Sequence, residues 1–348
     1  VLKSIFLQNF RSYDKKEFDF EETTLIVGPN TSGKSNLIEA IYLLSSGKSF
    51  RTDKDTQMLK FDEEVGRVRG KVTGDELEVL ITNGQVNGGS QYKKFLVNGV
   101  SKRRVDFAGK LLAVLFSPQD LEIIVDSPSL RRNFLDEVLE QIDRNYRAAN
   151  IAYVKALRQR NALLELARET GRRNEKQFEY WDNLVIENGN IITQKREEFI
   201  NFLNASVKDI FDFIVEYDRS VISKQRLLQY KEEEVAAGVT LVGPHRDDFK
   251  ILMFNSSKIP HDVKFYGSRG QQRLAILQLK MLELAFIEEA LGERPLLLLD
   301  DIFSELDEEH IKLILSEIGK QQVIVTTTHE EFVPKKLLKS MKIVSFKK

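Results

Sequence analysis

Eight consecutive residues, Gly28-Pro29-Asn30-Thr31-Ser32-Gly33-Lys34-Ser35, fit G-x-x-x-x-G-K-[ST] in full. In that pattern the glycines let the backbone curl so that the N–H groups of Asn30, Thr31, Ser32 and Gly33 aim at one anion. The helix that starts there adds the positive end of its dipole. Lys34 then reaches the β/γ-phosphates of a nucleotide and Ser35 holds Mg²⁺. Far along the chain, Leu296 to Leu299 ends in Asp300-Asp301, a buried-strand pattern that delivers two carboxylates. Asp300 is the expected metal partner opposite the loop, and Asp301 the group that orients or deprotonates the attacking water. A second buried run, Ile324 to Thr328, delivers His329 to the same kind of place, where it senses the γ-phosphate.

Elements must hold these groups. Thr24 to Val27 has the length and β-branching of a buried strand ahead of the loop, and Leu37, Ile38, Ala40, Ile41 and Leu44 recur at helical spacing behind it. Leu2 to Phe10 alternates, with Leu2, Ser4, Phe6, Gln8 and Phe10 on one side and Ile5 and Leu7 on the other. Val65 to Val72 alternates too, and puts Arg67, Arg69 and Lys71 on one face. Asn98-Gly99 marks a hairpin turn, followed by Lys102-Arg103-Arg104. These six cations are the expected DNA phosphate contacts, the alternative being an edge strand guarded by charge. Leu111 to Phe116 is a further buried strand.

From about Leu130 to Glu234 the pattern is helical and charge-dense. As one helix, Arg144 to Leu166 sets Arg144, Arg147, Lys155 and Arg158 on a face opposite Ala149, Tyr153, Ala156, Leu157, Leu163 and Leu164. That face is either solvated or the second candidate for DNA. Val239 to Val242 reads as a strand, Gly243 to Asp248 as a turn and Phe249 to Phe254 as a strand again. Ser268 is a good N-cap for the strongest remaining helix, Leu274 to Leu291. The expected fold is α/β: a P-loop ATPase head with a β-rich N-terminal lobe, residues 1–123 and 241–348, interrupted by a helical arm domain, residues 124–240.

Composition narrows the class. Of 348 residues 42% are hydrophobic and 30% charged, which suits a packed core rather than disorder. A net charge of −1 means that any nucleic-acid surface must come from local segregation of charge. Without cysteine there are no disulfides and no cysteine-ligated zinc, which is compatible with a reducing cytoplasm. No apolar run approaches the roughly 20 residues of a membrane helix. No signal-peptide pattern precedes the first strand pattern.

Ser268-Arg269-Gly270-Gln271-Gln272-Arg273 resembles the signature motif of ABC-type ATPases. Gln119 as Q-loop, Asp300-Asp301 as Walker B, Ser304-Glu305-Leu306-Asp307 as D-loop and His329 complete the set in that superfamily's order. Leu7 to Tyr13, Gly47 to Arg51, Ser129 to Asp136 and Gly243 to Asp248 are similar to segments of the RecF family of bacterial recombination and replication-repair proteins, and the resemblance covers essentially the whole chain. It implies ATP and Mg²⁺ as cofactors and an SMC-like head in the cytoplasm that dimerises on ATP and binds DNA near gaps or duplex junctions. It also implies work with RecR and RecO to load RecA onto single strands. By the same resemblance Gln119 serves metal and water, and Arg11, Ser268, Gly270 and Asp307 join the loop residues around the nucleotide. Asp301 stands where most ABC proteins carry glutamate, and Gly267 and Arg269 replace the usual leucine and first glycine, so a weak, DNA-dependent ATPase is expected.

A P-loop and Walker B leave the outer face of a γ-phosphate open, and the helix that Ser268 caps is itself an anion site at its N-terminus. The ATP site is therefore expected to be shared between two copies. The rival from another class, a transporter's nucleotide-binding subunit, shares the phosphate motifs but places its signature much sooner after the P-loop. A GTPase is weaker, since Asp106-Phe107-Ala108-Gly109 fits D-x-x-G but no N-K-x-D exists.

Overall fold

A computed structural model describes residues 1–84, 91–302, 311, 314, 318–333 and 338–346. The chain packs as two compact units, Val1–Asp120 with Glu283–Lys348, and Leu121–Leu282. Residues 241–282, expected with the head, pack instead with the helical unit.

The first unit is built on two sheets and one helix. Five parallel strands run in the order Lys342–Ser345, Thr23–Val27, Val323–Thr327, Leu296–Asp300, Ala113–Phe116. The three central strands are buried almost throughout, as parallel strands covered on both faces are. The second sheet is antiparallel, in the order Tyr13–Asp19, Leu2–Phe10, Val65–Val72, Asp75–Thr82, Tyr92–Val97, Val100–Lys102. Its last hairpin turns on Asn98 and Gly99, both at positive φ, as a two-residue turn of this hand requires. The helix Lys34–Ser46 is buried on nearly every side, and Leu37, Ile38, Ile41 and Leu44 join residues of both sheets in one core.

Two expectations for this unit change. Val65–Val72 is the third of six strands and not an edge. Leu2, Ile5, Leu7 and Phe10 all face the core, because a register shift between Leu2 and Ser4 and a positive φ at Asn9 each break the alternation.

The second unit centres on the helices Pro128–Ile142, Arg144–Thr170 and Glu175–Ala205, with a three-stranded antiparallel sheet ordered Pro260–Asp262, Asp248–Phe254, Ile214–Asp218. Tyr146, Ala149, Tyr153, Ala156, Arg160, Leu164 and Ala167 form the buried stripe of the middle helix. Asp143 caps that helix by accepting from the N–H groups of Asn145 and Tyr146. Arg147, expected on the exposed face, is buried and donates to the carbonyls of Glu140 and Gln141 at the end of the preceding helix. Val239 to Val242 forms no strand, because side chains take its backbone: Asn161 accepts from the Thr240 N–H and Glu234 from the Leu241 N–H, both at 2.9 Å.

Candidate nucleotide site

Four loops of the first unit leave the carboxyl edge of the parallel sheet, the edge at which open α/β sheets bind ligands. They are the glycine loop after Thr23–Val27, Asp301 after Leu296–Asp300, His329 after Val323–Thr327 and Gln119 after Ala113–Phe116. One register brings together residues read separately in the sequence.

The loop has the cradle's geometry. A side chain at Gly28 would meet Cβ of Phe346 at 2.7 Å and the Ser32 hydroxyl at 2.9 Å, so only glycine fits. Gly33 begins the helix at φ 99° with no side-chain cap, leaving the helix N-terminus to an anion. Thr31 is held at φ 71°. The Ser32 hydroxyl is buried without a partner among the described residues, the kind of atom a bound anion satisfies. Lys34 is not the exposed lysine a phosphate site suggests: it is buried, and its ammonium donates to the carbonyls of Gly28 at 2.6 Å and Pro29 at 3.0 Å. Burial lowers its pKa below the ordinary lysine value, opposed by the charges of Asp301 and Asp300. Asn30 is exposed at the tip.

The Ser35 hydroxyl donates to Asp300 Oδ1 at 3.2 Å, which joins the loop to the acidic strand. Asp300 is buried, and the Thr326 hydroxyl donates to the same oxygen at 2.7 Å. A serine hydroxyl and a carboxylate at this distance are hard oxygen donors and fit Mg²⁺, which when bound would neutralise phosphate charge between them. Asp301 follows at φ 52°, its N–H donating to Thr326.

Arg11, expected around the nucleotide, is engaged within the protein. Its guanidinium donates twice to Glu39, at 2.8 and 2.6 Å, and once to the Gln57 carbonyl. Glu39 also accepts from Ser49 at 2.5 Å and from Arg51 at 3.4 Å. This glutamate, wholly buried one turn beyond Ser35, is what the Leu7 to Tyr13 and Gly47 to Arg51 segments have in common. Sequence reading missed it; the available signal was the single acid between Leu37-Ile38 and Ala40-Ile41 in a mostly apolar stretch, with an arginine in each flanking motif. Tyr13 donates to the Gly33 carbonyl at 2.9 Å and fastens the same turn to the loop.

Gln119 and His329 are both exposed at the sheet edge. Asp307, with the rest of the expected D-loop, lies outside the described residues. In the second unit, Ser268 and Gln271 form a reciprocal capping box: the Ser268 hydroxyl accepts from the Gln271 N–H at 3.2 Å and the Gln271 side chain from the Ser268 N–H at 2.9 Å. Gly270 is helical and exposed, and a side chain there would meet nothing closer than 3.9 Å among the described residues.

The expected DNA contacts are less free than their spacing suggests. Arg67 pairs with Glu78 at 2.9 Å, and the Arg69 guanidinium lies 5.2 Å from the Phe6 ring centre. Lys71 stands in register opposite Glu76. Arg103 pairs with Asp106, and Arg104 donates to the Ser46 carbonyl at the end of the P-loop helix, while Lys102 is exposed. No described helix is long and apolar enough to cross a membrane.

The family model for the RecF/RecN/SMC N terminal domain matches residues 1–347. The DNA replication and repair protein RecF of Caldanaerobacter subterraneus subsp. tengcongensis is 39% identical over 355 residues, covering 95% of each chain. That of Exiguobacterium sp. is 35% identical over 373 residues, covering 99% of this chain and 97% of its own length. A solved structure of the recombination mediator protein RecF with ATP, in the RecFOR pathway, is 37% identical and covers 96% of this chain and 93% of that one, with a TM-score of 0.84.

Proposed function

The chain belongs to the RecF family, and from that premise we propose that it is an ATP-dependent DNA-binding protein of recombinational repair and replication restart, helping RecR and RecO to load RecA at single-strand gaps. The observation that carries the ATP half is the 3.2 Å contact between Ser35 and Asp300, which joins the two phosphate motifs across most of the chain. Hydrolysis needs a water aligned with the γ-phosphate. Asp301, beside Asp300 and held by its own backbone N–H, is the group to take that water's proton, and His329 and Gln119 flank it from neighbouring strand ends.

In this reading the γ-phosphate is completed by Ser268 and Gly270 of a second copy. Glycine costs about 1 kcal/mol against alanine inside a helix, and nothing among the described residues approaches Gly270 closely enough to require it. A phosphate arriving from outside would. ATP then joins two copies through contacts that ADP lacks, and hydrolysis releases them.

Sedimentation with a slowly hydrolysed ATP analogue tests this. The expected result is a dimer with the analogue and a monomer with ADP, and Ser268→Arg should bind ATP yet remain monomeric without hydrolysis. A monomer at saturating analogue and micromolar protein overturns the shared site. DNA binding with and without ATP, on single strands, duplex and gapped duplex at stated salt, tests the other half.

A further inference from the structure

We propose that Thr326 is the positioning residue for both acids of the site, one hydroxyl setting the direction of Asp300 and the backbone of Asp301 together. This rests on the ATPase reading above and adds a residue to it. Thr326 is wholly buried and is the in-register neighbour of Asp300 on the adjoining parallel strand. Its hydroxyl donates to Asp300 Oδ1 at 2.7 Å and accepts from the Asp301 N–H at 3.0 Å. A hydroxyl has one hydrogen and two lone pairs, so the two bonds are compatible and leave it no freedom to rotate.

The consequences differ at the two acids. At Asp300, Oδ1 is taken by Thr326 and Ser35, and Oδ2 accepts no hydrogen bond among the described residues. The carboxylate is therefore turned so that one oxygen is anchored and the other is available to a cation. At Asp301 the backbone is left-handed, at φ 52°, which an aspartate adopts only at a cost. Continuing the strand would aim this side chain differently. The bond from its N–H to Thr326 holds the turn that sends consecutive carboxylates to different tasks. The β-branch of Thr326 suits the strand, but a valine would suit it equally well; only the hydroxyl requires threonine or serine.

Thr326→Val removes the hydroxyl at nearly constant volume, and Thr326→Ser restores it. Single-turnover hydrolysis should fall about 10- to 100-fold in the valine variant and return to within about threefold of the parent in the serine variant. Binding of a fluorescent ATP analogue gives a readout independent of turnover. Without Mg²⁺ its affinity should be the same in all three proteins, and the gain on adding Mg²⁺ should shrink in the valine variant alone. A merely structural threonine predicts a lower unfolding temperature in Thr326→Val, with the Mg²⁺ gain and the turnover of the folded fraction unchanged, and that result overturns the proposal. If the valine variant does not fold, amide exchange in the unmodified protein decides: the Asp301 N–H should be protected, and rapid exchange overturns the bond. Loss of ATP binding in the unmodified protein would instead defeat the ATPase reading itself.

Discussion

Buried polar groups serve opposite ends in the core of the helical unit and at the nucleotide edge of the first. In the helical unit, Arg196 is almost wholly buried and donates to the Pro244 carbonyl at 2.7 Å, Asp247 at 2.9 Å, Asp136 at 2.7 Å and the Tyr146 hydroxyl at 3.2 Å. Asp247 also accepts from Tyr217 at 2.5 Å and from the Ser220 N–H at 2.7 Å. Arg160, equally buried, is shared among Asp182, Thr240 and Glu234. At the nucleotide edge, by contrast, the Ser32 hydroxyl has no partner among the described residues and Lys34 is parked on loop carbonyls that a phosphate would replace. A saturated cluster holds a fold together; an unsaturated one waits for a ligand.

The sharpest way to break this contrast is to remove one cation from each cluster. Arg196→Leu strips a cation from the buried Asp247 and the half-buried Asp136 and should cost about 3–5 kcal/mol of stability by denaturant unfolding, with loss of the helical unit's cooperative transition. Lys34→Ala should cost about 1 kcal/mol or less in the same measurement, yet weaken ATP binding about 10- to 100-fold, since a charge-assisted bond to phosphate is lost. Similar stability losses from the two variants would erase the distinction.

The contrast also explains what the sequence disclosed. Buried parallel strands are continuous apolar runs, so 24–27, 296–300 and 324–327 and the acids and histidine at their ends were legible by position alone. The saturated clusters were not. Sequence patterning reads a charged residue as surface, whereas Arg160, Arg196 and Glu39 are buried because distant segments bring them partners. Their chemistry lies in pairs that no local window contains. Thr326 was hidden differently, among β-branched neighbours that announce only a strand. The Gly243 to Asp248 turn, whose role the sequence left open, meets the Ser129 to Asp136 segment through Arg131 on Asp248 and Arg132 on the Asp247 carbonyl.

A saturated cluster should also resist protonation, and His245 measures how strongly. Its Nδ1 lies 2.7 Å from the Tyr153 hydroxyl and its Nε2 3.0 Å from the Thr240 carbonyl, which suits a neutral ring donating from Nε2 and accepting at Nδ1. Burial first, then nearby arginines, push its pKa down to about 4. The unfolded chain, near the ordinary histidine value of about 6.5, binds more protons between those limits. Stability from this group is therefore complete above the unfolded value and is lost as pH falls toward the folded one, by roughly 3 kcal/mol in all. Unfolding followed from pH 7.5 to 4.5 should show this slope in the unmodified protein and a flatter one in His245→Asn. Parallel slopes would mean that the ring is not held neutral.

The smallest effect is expected where spacing first suggested DNA. The three cations of Val65–Val72 alternate outward as read, but this strand is central in its sheet, Arg67 is paired with Glu78, Arg69 lies against the Phe6 ring, and only Lys71, in register opposite Glu76, is left with neither an ion pair nor a ring contact among the described residues. A cation already paired releases fewer counterions from DNA when it binds. If each of the three met one free phosphate, replacing all of them with glutamine would lower the salt-dependence exponent by about 2.7; the pairing predicts a change below about 1. On the arm helix, Lys155 and Arg158 are exposed and have no ion pair among the described residues, on a segment without an acid from Arg144 to Leu164. Replacing those two should lower the exponent by nearly 2. Titrating a gapped duplex at several salt concentrations separates the cases. A drop near 2.7 in the sheet variant, with none in the helix variant, would show that satisfied charges still serve DNA and that the distinction between the two kinds of cluster fails at the surface.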